Sequence, residues 1–245
     1  MLCVEAGYKT ITPFEIANCL HAQETGQISH RAVRIYFGCQ AMLAVREAAR
    51  RSERRKGRKP TEKPRYLLSE LCRLTKLSAR IVKRELRAAQ RASLLQFSET
   101  EIVFHKAPLP GSGELCEIIS GKRSARRPIP VPRSVLRFIA RSAKAAGSMT
   151  MLGYVLRGLS IARKGGEVKG VGTAKAAWIA DAFGLSLRSV RTARKELIEM
   201  GFISQDTGST QRKLNRDGSY FRINLAWKEK SASEREGKLT GCGCA

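Results

Sequence analysis

Apolar residues between positions 178 and 203 recur at helical spacing on both sides of one short turn. These apolar positions are Trp178, Ile179, Ala182, Val190, Ala193 and Leu197. The spacing predicts two helices, each with one face that packs against a core. Gly184 offers the permissive backbone that ends a helix, and Ser186 is a suitable N-cap for the next one. The pattern therefore predicts a helix, a tight turn and a second helix over this stretch.

The second of these helices has a cationic face opposite its apolar face. At about 100° per residue, Arg188, Arg191 and Lys195 fall together on one side of the helix. Two helices that cross at a wide angle around a turn of three or four residues form a helix-turn-helix, whose second helix enters the major groove of DNA. We expect the DNA contacts of this helix to be Arg188, Arg191, Thr192 and Lys195.

A strand pattern follows directly after this helix. Phe202 and Ile203 open one short strand, and Phe221, Ile223 and Leu225 alternate with polar residues in a second strand. The polar residues between the strands form a predicted wing, whose expected phosphate contacts are Arg212, Lys213 and Arg216. A helix-turn-helix followed by such a hairpin resembles winged-helix DNA-binding domains. The resemblance implies that the second helix and the wing bind duplex DNA.

The same pattern occurs a second time, 108 positions earlier in the chain. Four positions match in residue type, pairing Leu71 with Ile179, Leu77 with Leu185, Ser78 with Ser186 and Val82 with Val190. The cationic positions recur as well, and the expected DNA contacts of the first copy are Arg80, Lys83, Arg84 and Arg87. A repeat of about 100 residues is too long for a solenoid period and fits two copies of one domain.

The two copies differ in ways that predict unequal contacts with DNA. Glu85 stands where the second copy has Ala193, so the core of the first copy is less apolar. The first hairpin, predicted from Leu94–Phe97 and Ile102–Phe104, turns at Ser98–Glu101 and carries two glutamates that phosphate would repel. The second wing is cationic, so we expect it to bind DNA more strongly than the first.

The fold class predicted for the chain is mainly α with small β-hairpin wings, arranged as two winged-helix domains in tandem. The first domain is predicted over residues 1–106. It opens with a short helix that starts at Pro13, and a longer helix starts after Ser29. A basic loop is predicted over 46–65, since residues 46–63 hold nine Lys or Arg against three Glu.

Residues 107–127 are predicted to form a linker, because proline and glycine are frequent there and a basic run occupies 122–127. One short strand is predicted within this linker, at Leu115–Ile119. The remaining predictions are a second domain over 128–230, helices over Arg133–Ala145 and Met149–Arg163, a glycine-rich turn over Gly165–Gly172, and a flexible tail over 231–245.

The charge of the chain narrows the class of partner. Forty-six Lys and Arg against 21 Asp and Glu give a formal net charge of +25, a field that attracts nucleic acid or anionic lipid. No stretch reaches the roughly 18 apolar residues of a membrane span, and no signal-peptide pattern opens the chain. Seven cysteines, without close pairing before Cys242 and Cys244, favour a reducing compartment. We therefore expect a cytoplasmic, nucleoid-associated protein.

Motifs typical of enzymes are missing from the sequence. It has no GxxxxGK[ST] phosphate loop, HExxH, paired CxxC or GxSxG. The three histidines are scattered, and Cys242-Gly-Cys244 has no partner at ligand spacing. Aromatic residues are only 6% and form no stacking platform, which favours duplex DNA over single strands or RNA. We expect no catalytic activity, no metal site and no cofactor.

Two winged helices in one basic chain, over about residues 10–228, resemble the replication initiators of plasmids and some phages. The resemblance is carried by Leu71–Phe97 and its repeat Ile179–Ser204, each preceded by long helices. It implies binding to repeated origin sequences, duplex distortion, recruitment of host replication proteins and self-association through the first domain. A transcriptional regulator of a mobile element would use the same helices at a promoter. A winged-helix adaptor in a larger protein or ribonucleoprotein assembly is a third hypothesis, since fold does not dictate function.

Overall fold

A computed structural model describes residues 8–57, 67–98, 101–120, 128–161, 168–205 and 218–227 of the chain. The described residues are mainly helical, with small antiparallel sheets. Up to residue 120 the elements are β1 (Tyr8–Ile11), α1 (Pro13–Glu24), α2 (His30–Arg55), α3 (Leu67–Thr75), α4 (Ala79–Arg91), β2 (Leu95–Phe97), β3 (Ile102–Phe104) and α5 (Ser112–Ser120).

After residue 128 the elements are β4 (Ile129–Pro132), α6 (Arg133–Arg141), α7 (Ala145–Gly158), β5 (Leu159–Ile161), β6 (Val168–Ala174), α8 (Ala176–Ala182), α9 (Leu187–Glu199), β7 (Ile203–Gln205) and β8 (Ser219–Ile223). The predicted tail over 231–245 and the basic run at 122–127 lie outside the described residues. Residues 58–65 of the predicted basic loop also lie outside the described residues. The first part of that predicted loop, up to Arg55, belongs to helix α2.

Side-chain caps fix the starts of several helices where the sequence predicted them. Thr12 and Glu15 form a capping box at α1, in which the Glu15 amide donates to Thr12 Oγ1 at 3.2 Å and Glu15 Oε2 accepts from the Thr12 amide at 2.7 Å. Ser29 Oγ accepts from the Arg31 amide at the start of α2. Ser186 Oγ accepts from the Ser189 amide at 3.1 Å, which confirms the predicted start of α9.

The two helix-turn-helix copies recur in the backbone at the spacing of 108 residues. Helices α4 and α9 both have 13 residues, and a three-residue strand follows each at the same distance. The left-handed residues recur too: Lys76 at φ 57° matches Gly184 at φ 59°, and Ser93 at φ 53° matches Gly201 at φ 73°. The predicted repeat of helix, turn, helix and strand is thereby confirmed, and glycine occupies both strained positions only in the second copy.

This comparison predicts opposite effects for reciprocal substitutions at Ser93 and Gly201. Ser93→Gly should raise the free energy of unfolding by roughly 0.5–1 kcal/mol, because it relieves a left-handed serine, and Gly201→Ser should lower it by about 1 kcal/mol. A Cβ at Gly201 would meet nothing within 4 Å, so the left-handed backbone is the only source of the expected cost. Urea unfolding of both variants measures the two effects, and changes of the same sign would contradict the explanation.

The sheet of the second half is larger than the sequence predicted. Its strand order is β5-β6-β8-β7, and each neighbouring pair is antiparallel. The predicted helix over Met149–Arg163 is wrong at both ends, because α7 starts earlier, at Ala145, and stops at Gly158. The predicted turn over Gly165–Gly172 is wrong from Val168 onward, since β6 begins there and includes two of its glycines; residues 165–167 lie outside the described residues.

Close packing explains why glycine occurs in this strand. A Cβ on Gly172 would lie 2.4 Å from the carbonyl oxygen of Arg157, and a Cβ on Gly158 would lie 2.6 Å from the Phe221 ring. Strand β6 can therefore lie against the end of α7 only where no side chain intervenes. The glycines are needed by the packing of the sheet, and turn formation does not require them.

The predicted strand at Leu115–Ile119 is also wrong, because these residues belong to helix α5. Leu115, Cys116 and Ile119 are buried at helical spacing, and the helix packs against α1. Asn18 of α1 orders the approach to α5: its Nδ2 donates to the Ala107 carbonyl at 2.8 Å, and its Oδ1 accepts from Ser112 Oγ at 2.8 Å. The described part of the predicted linker is thus a packed element of the fold.

The predicted helix over Arg133–Ala145 is shorter in the structure and ends at Arg141. Ser142 has extended backbone, and its Oγ donates to the Lys144 carbonyl at 3.0 Å. The chain therefore turns at Ser142–Lys144, and α7 begins at Ala145. The prediction merged this turn into the helix because no proline or glycine marks it.

The two halves of the chain share one continuous hydrophobic core. Strand β1 pairs with β4 across the halves, with Ile11 opposite Ile129, and helix α2 packs along α6. The buried Arg34 of α2 joins helix ends from both halves. Its guanidinium donates to the Thr75 carbonyl at 2.6 Å and, through Nε, to the Ala140 carbonyl at 3.1 Å. In return, Arg141 Nε donates to the Leu74 carbonyl at 3.2 Å.

Candidate nucleic-acid interface

Helix α9 presents the cationic face that its sequence predicted. Its buried residues are Val190, Ala193 and Leu197. The residues expected to contact DNA are all exposed, and they are Arg188, Arg191, Thr192 and Lys195. Lys195 lies 3.9 Å from the Glu199 carboxylate, an exposed pair that costs little to separate. The outer face of α9 is therefore accessible and cationic.

Packing on both sides of α9 holds this face in place. At its C-terminal end, Phe202 stacks on Trp227 with ring centroids 3.7 Å apart, and Trp227 Nε1 donates to the Met200 carbonyl at 2.8 Å. At its N-terminal end, the left-handed Gly184 closes α8 before the Ser186 cap. The helix that would read DNA is thus fixed at both ends, which lowers the ordering cost of binding.

Trp178 lies at the edge of the core, although its apolar spacing predicted a position packed within it. It is half-buried, its ring centroid lies 6.4 Å from that of Phe183, and the Arg157 guanidinium lies 3.9 Å above its ring. The tryptophan joins α8 to the end of α7 through this cation–π contact. It helps position the helix-turn-helix from the edge of the core.

Helix α4 repeats the cationic face with one difference. Its predicted contacts are all exposed, and they are Arg80, Lys83, Arg84 and Arg87. Arg84 is already engaged, because its guanidinium donates to Glu85 Oε1 at 2.6 and 3.0 Å. The buried Glu85 in turn accepts from Ser29 Oγ at 2.6 Å through Oε2. The first copy therefore replaces the apolar contact of Ala193 with a polar bridge to the start of α2.

The predicted wing contacts Arg212, Lys213 and Arg216 lie outside the described residues, as does Glu99 of the first hairpin turn. The strands that flank each of these turns are paired, with Phe97 opposite Ile102 in the first copy and Gln205 opposite Phe221 in the second. Both predicted hairpins are confirmed as strand pairs. The phosphate contacts expected of the second hairpin tip, and the repulsion expected of the first, stay predictions from sequence.

The outer face of the second sheet carries cations that sequence reasoning missed. Lys169 of β6 and Arg222 of β8 are exposed, and strand register places both on the face opposite the buried Phe221. The glycines around Lys169 predict a turn, so the sequence alone does not place this lysine on a strand. Alternation of Tyr220, Phe221 and Arg222 was the signal that places Arg222 outward.

The described residues show no grouping of three or more His, Cys, Asp and Glu side chains that could hold a metal ion. Cys19, Cys39 and Cys116 are buried free thiols, and burial raises the pKa of each. They pack as small apolar residues. Cys242 and Cys244 lie outside the described residues.

Within the described ranges, no helix is both long and apolar enough to cross a bilayer. Comparison of the chain with protein-family models, with curated proteins and with solved structures finds no match.

Proposed function

We propose that this protein is a sequence-specific, double-stranded DNA-binding protein that uses α4 and α9 as recognition helices. The observation that carries the proposal is the recurrence, 108 residues apart, of the same outward cationic helix on the same helix-turn-helix backbone. Arg80, Lys83 and Arg87 recur as Arg188, Arg191 and Lys195, and all six are exposed. Core packing does not require these cations, whereas base edges and phosphates bind them.

The order of elements supports two winged-helix domains as the architecture of this function. In the second half, α7 is followed by β5, β6, α8, α9, β7 and β8, and the four strands form one antiparallel sheet in the order β5-β6-β8-β7. This order resembles winged-helix domains, with α9 as the recognition helix and β7 and β8 as the two strands of the wing hairpin. The first half has the same order without counterparts of β5 and β6, through α2, α3, α4, β2 and β3.

Among the roles open to such a protein, initiation of replication at repeated sequences of a plasmid or other mobile element is the one we favour. One chain holds two reading helices in a shared core, so it covers a composite site without needing a second copy. A regulator that binds an inverted repeat commonly reaches its two half-sites as a dimer. Regulation of a mobile element is the alternative with the same helices.

A footprint of the full chain on DNA that flanks its gene tests this proposal. Protection of direct repeats of about 20 base pairs supports an initiator, and protection of one short inverted repeat over the promoter supports a regulator. Absence of any protected duplex would contradict the proposal and favour the adaptor hypothesis.

Removing the cations of α9 should relax sequence preference. Arg188→Ala and Arg191→Ala should each cost about 1–3 kcal/mol of discrimination between the protected site and unrelated duplex, because each arginine would lose a base-edge contact. Competition gel shifts measure the discrimination. Arg31→Ala, which removes the same charge from the exposed side of α2, is the matched control. Equal discrimination in all three variants and the wild type would show that the α9 arginines do not contact base edges.

A further inference from the structure

A cleft of about 370 Å³ lies between α2, α3 and α6, where the two halves meet. Four arginines line it, Arg73 from α3 and Arg133, Arg137 and Arg141 from α6. Met42 and Val45 of α2 form an apolar wall. Neither α4 nor α9 lines the cleft, so the DNA-reading faces do not account for it.

The arginines of α6 are arranged as one stripe. Arg133, Arg137 and Arg141 follow one another at four-residue intervals, which places them on one side of the helix. The Nε–H of Arg141 is held by the Leu74 carbonyl, so this guanidinium has a fixed position. Three cations on one stripe, with a fourth on the facing helix, produce a concentrated positive potential.

Negative charge in the cleft offsets this potential only in part. Glu70 is the one carboxylate among the lining residues, and it also lies 3.8 Å from Arg46 Nη2. Arg133 Nε is shielded from solvent and has no hydrogen-bond partner among the described residues. A shielded donor without an acceptor is costly, so Arg133 leaves one hydrogen bond unmade beside the cleft.

We infer that this cleft is a binding site for a phosphate group carried by an organic ligand. Guanidinium groups bind phosphate in bidentate fashion, and their hydrogen bonds to charged oxygens are stronger than neutral ones. The apolar wall, in which Val45 is partly exposed and Met42 is almost fully buried, offers a small contact to the part of the ligand that carries the phosphate. Two sources have this chemistry, a free nucleotide and the phosphodiester backbone of bound nucleic acid.

The test titrates the full chain, without DNA, with ADP and with inorganic pyrophosphate by isothermal calorimetry. The variants are Arg73→Gln, at an exposed position where folding is not at risk, and the double variant Arg133→Gln/Arg137→Gln. Arg31→Gln/Lys106→Gln, at two exposed positions outside the cleft and outside the proposed DNA-reading faces, is the control with the same loss of charge. We expect each cleft variant to weaken binding by about tenfold or more, and the control to bind as the wild type does. Equal binding by the cleft variants and the wild type would overturn the inference.

A second arm separates the two sources. If neither ADP nor pyrophosphate binds, the cleft variants should instead weaken binding to a 24-base-pair duplex and reduce the slope of log affinity against log salt by about 1 per arginine. That result assigns the cleft to backbone phosphates, and it rests on the proposed function. An unchanged slope together with no binding of either small probe overturns the inference. Because the calorimetric arm contains no DNA, it stands or fails separately from the proposed function.

Discussion

Replacing Arg34 by methionine is expected to lower the free energy of unfolding by about 3–5 kcal/mol. The guanidinium of Arg34 is buried and donates to the Thr75 and Ala140 carbonyls, which end helices from different halves of the chain. Methionine fills much of the volume but leaves these carbonyls without a donor. Burial, and then the charge of Arg31, lower the pKa of Arg34, but an arginine stays charged at neutral pH.

Urea unfolding at neutral pH measures this effect, and a neighbouring arginine supplies the control. Arg31 lies one turn earlier on α2 and is exposed, so Arg31→Met should change the free energy of unfolding by less than about 0.5 kcal/mol. If Arg34→Met unfolds at the same urea concentration as Arg31→Met, the buried arginine does not join the two halves as we infer.

Affinity for duplex DNA is expected to fall about 10³–10⁵-fold between 50 and 200 mM salt, provided that six to ten phosphates are neutralised. The two recognition helices supply part of this charge, and the sequence adds the basic residues of 46–63, the run at 122–127 and the second wing. Each phosphate contact releases counterions, so the logarithm of affinity is linear in the logarithm of salt concentration.

Fluorescence anisotropy on the footprinted site across this salt range measures the slope. Arg80→Gln, which removes one exposed cation of α4, should reduce the slope by about 1 if Arg80 contacts phosphate. A nearly flat dependence for the wild type would contradict duplex binding and indicate that the charge of +25 serves an adaptor.

Both helix-turn-helix units could be predicted from sequence because local signals agreed there. In α9, apolar spacing, the Ser186 cap and Gly184 all indicated the same helix. The repeat then predicted α4 and its hairpin in the first half. Exposed cations on both helices followed from the same periodicity, since one face of each helix is buried and the other is in water.

The errors occurred where tertiary packing decides local structure. Gly172 permits a close approach between β6 and α7, and Gly158 permits one between α7 and Phe221 of β8; glycine content alone does not distinguish these approaches from a turn. Helix α5 was mistaken for a strand because prolines before it suggested a linker, although Asn18 orders that approach from a distant helix. The role of Arg34 and the arginine cleft depend on residues far apart in sequence, so no local pattern marked them.

Selection of binding sites from a random duplex pool tests most directly whether α4 and α9 both read DNA. The full chain should be compared with an α4 variant, Arg80→Ala/Lys83→Ala, and an α9 variant, Arg188→Ala/Arg191→Ala. We predict that the wild type enriches a two-part motif and that each variant loses base preference in one part while it retains the other. Enrichment of the same motif by all three proteins, or of no motif by the wild type, would contradict the account.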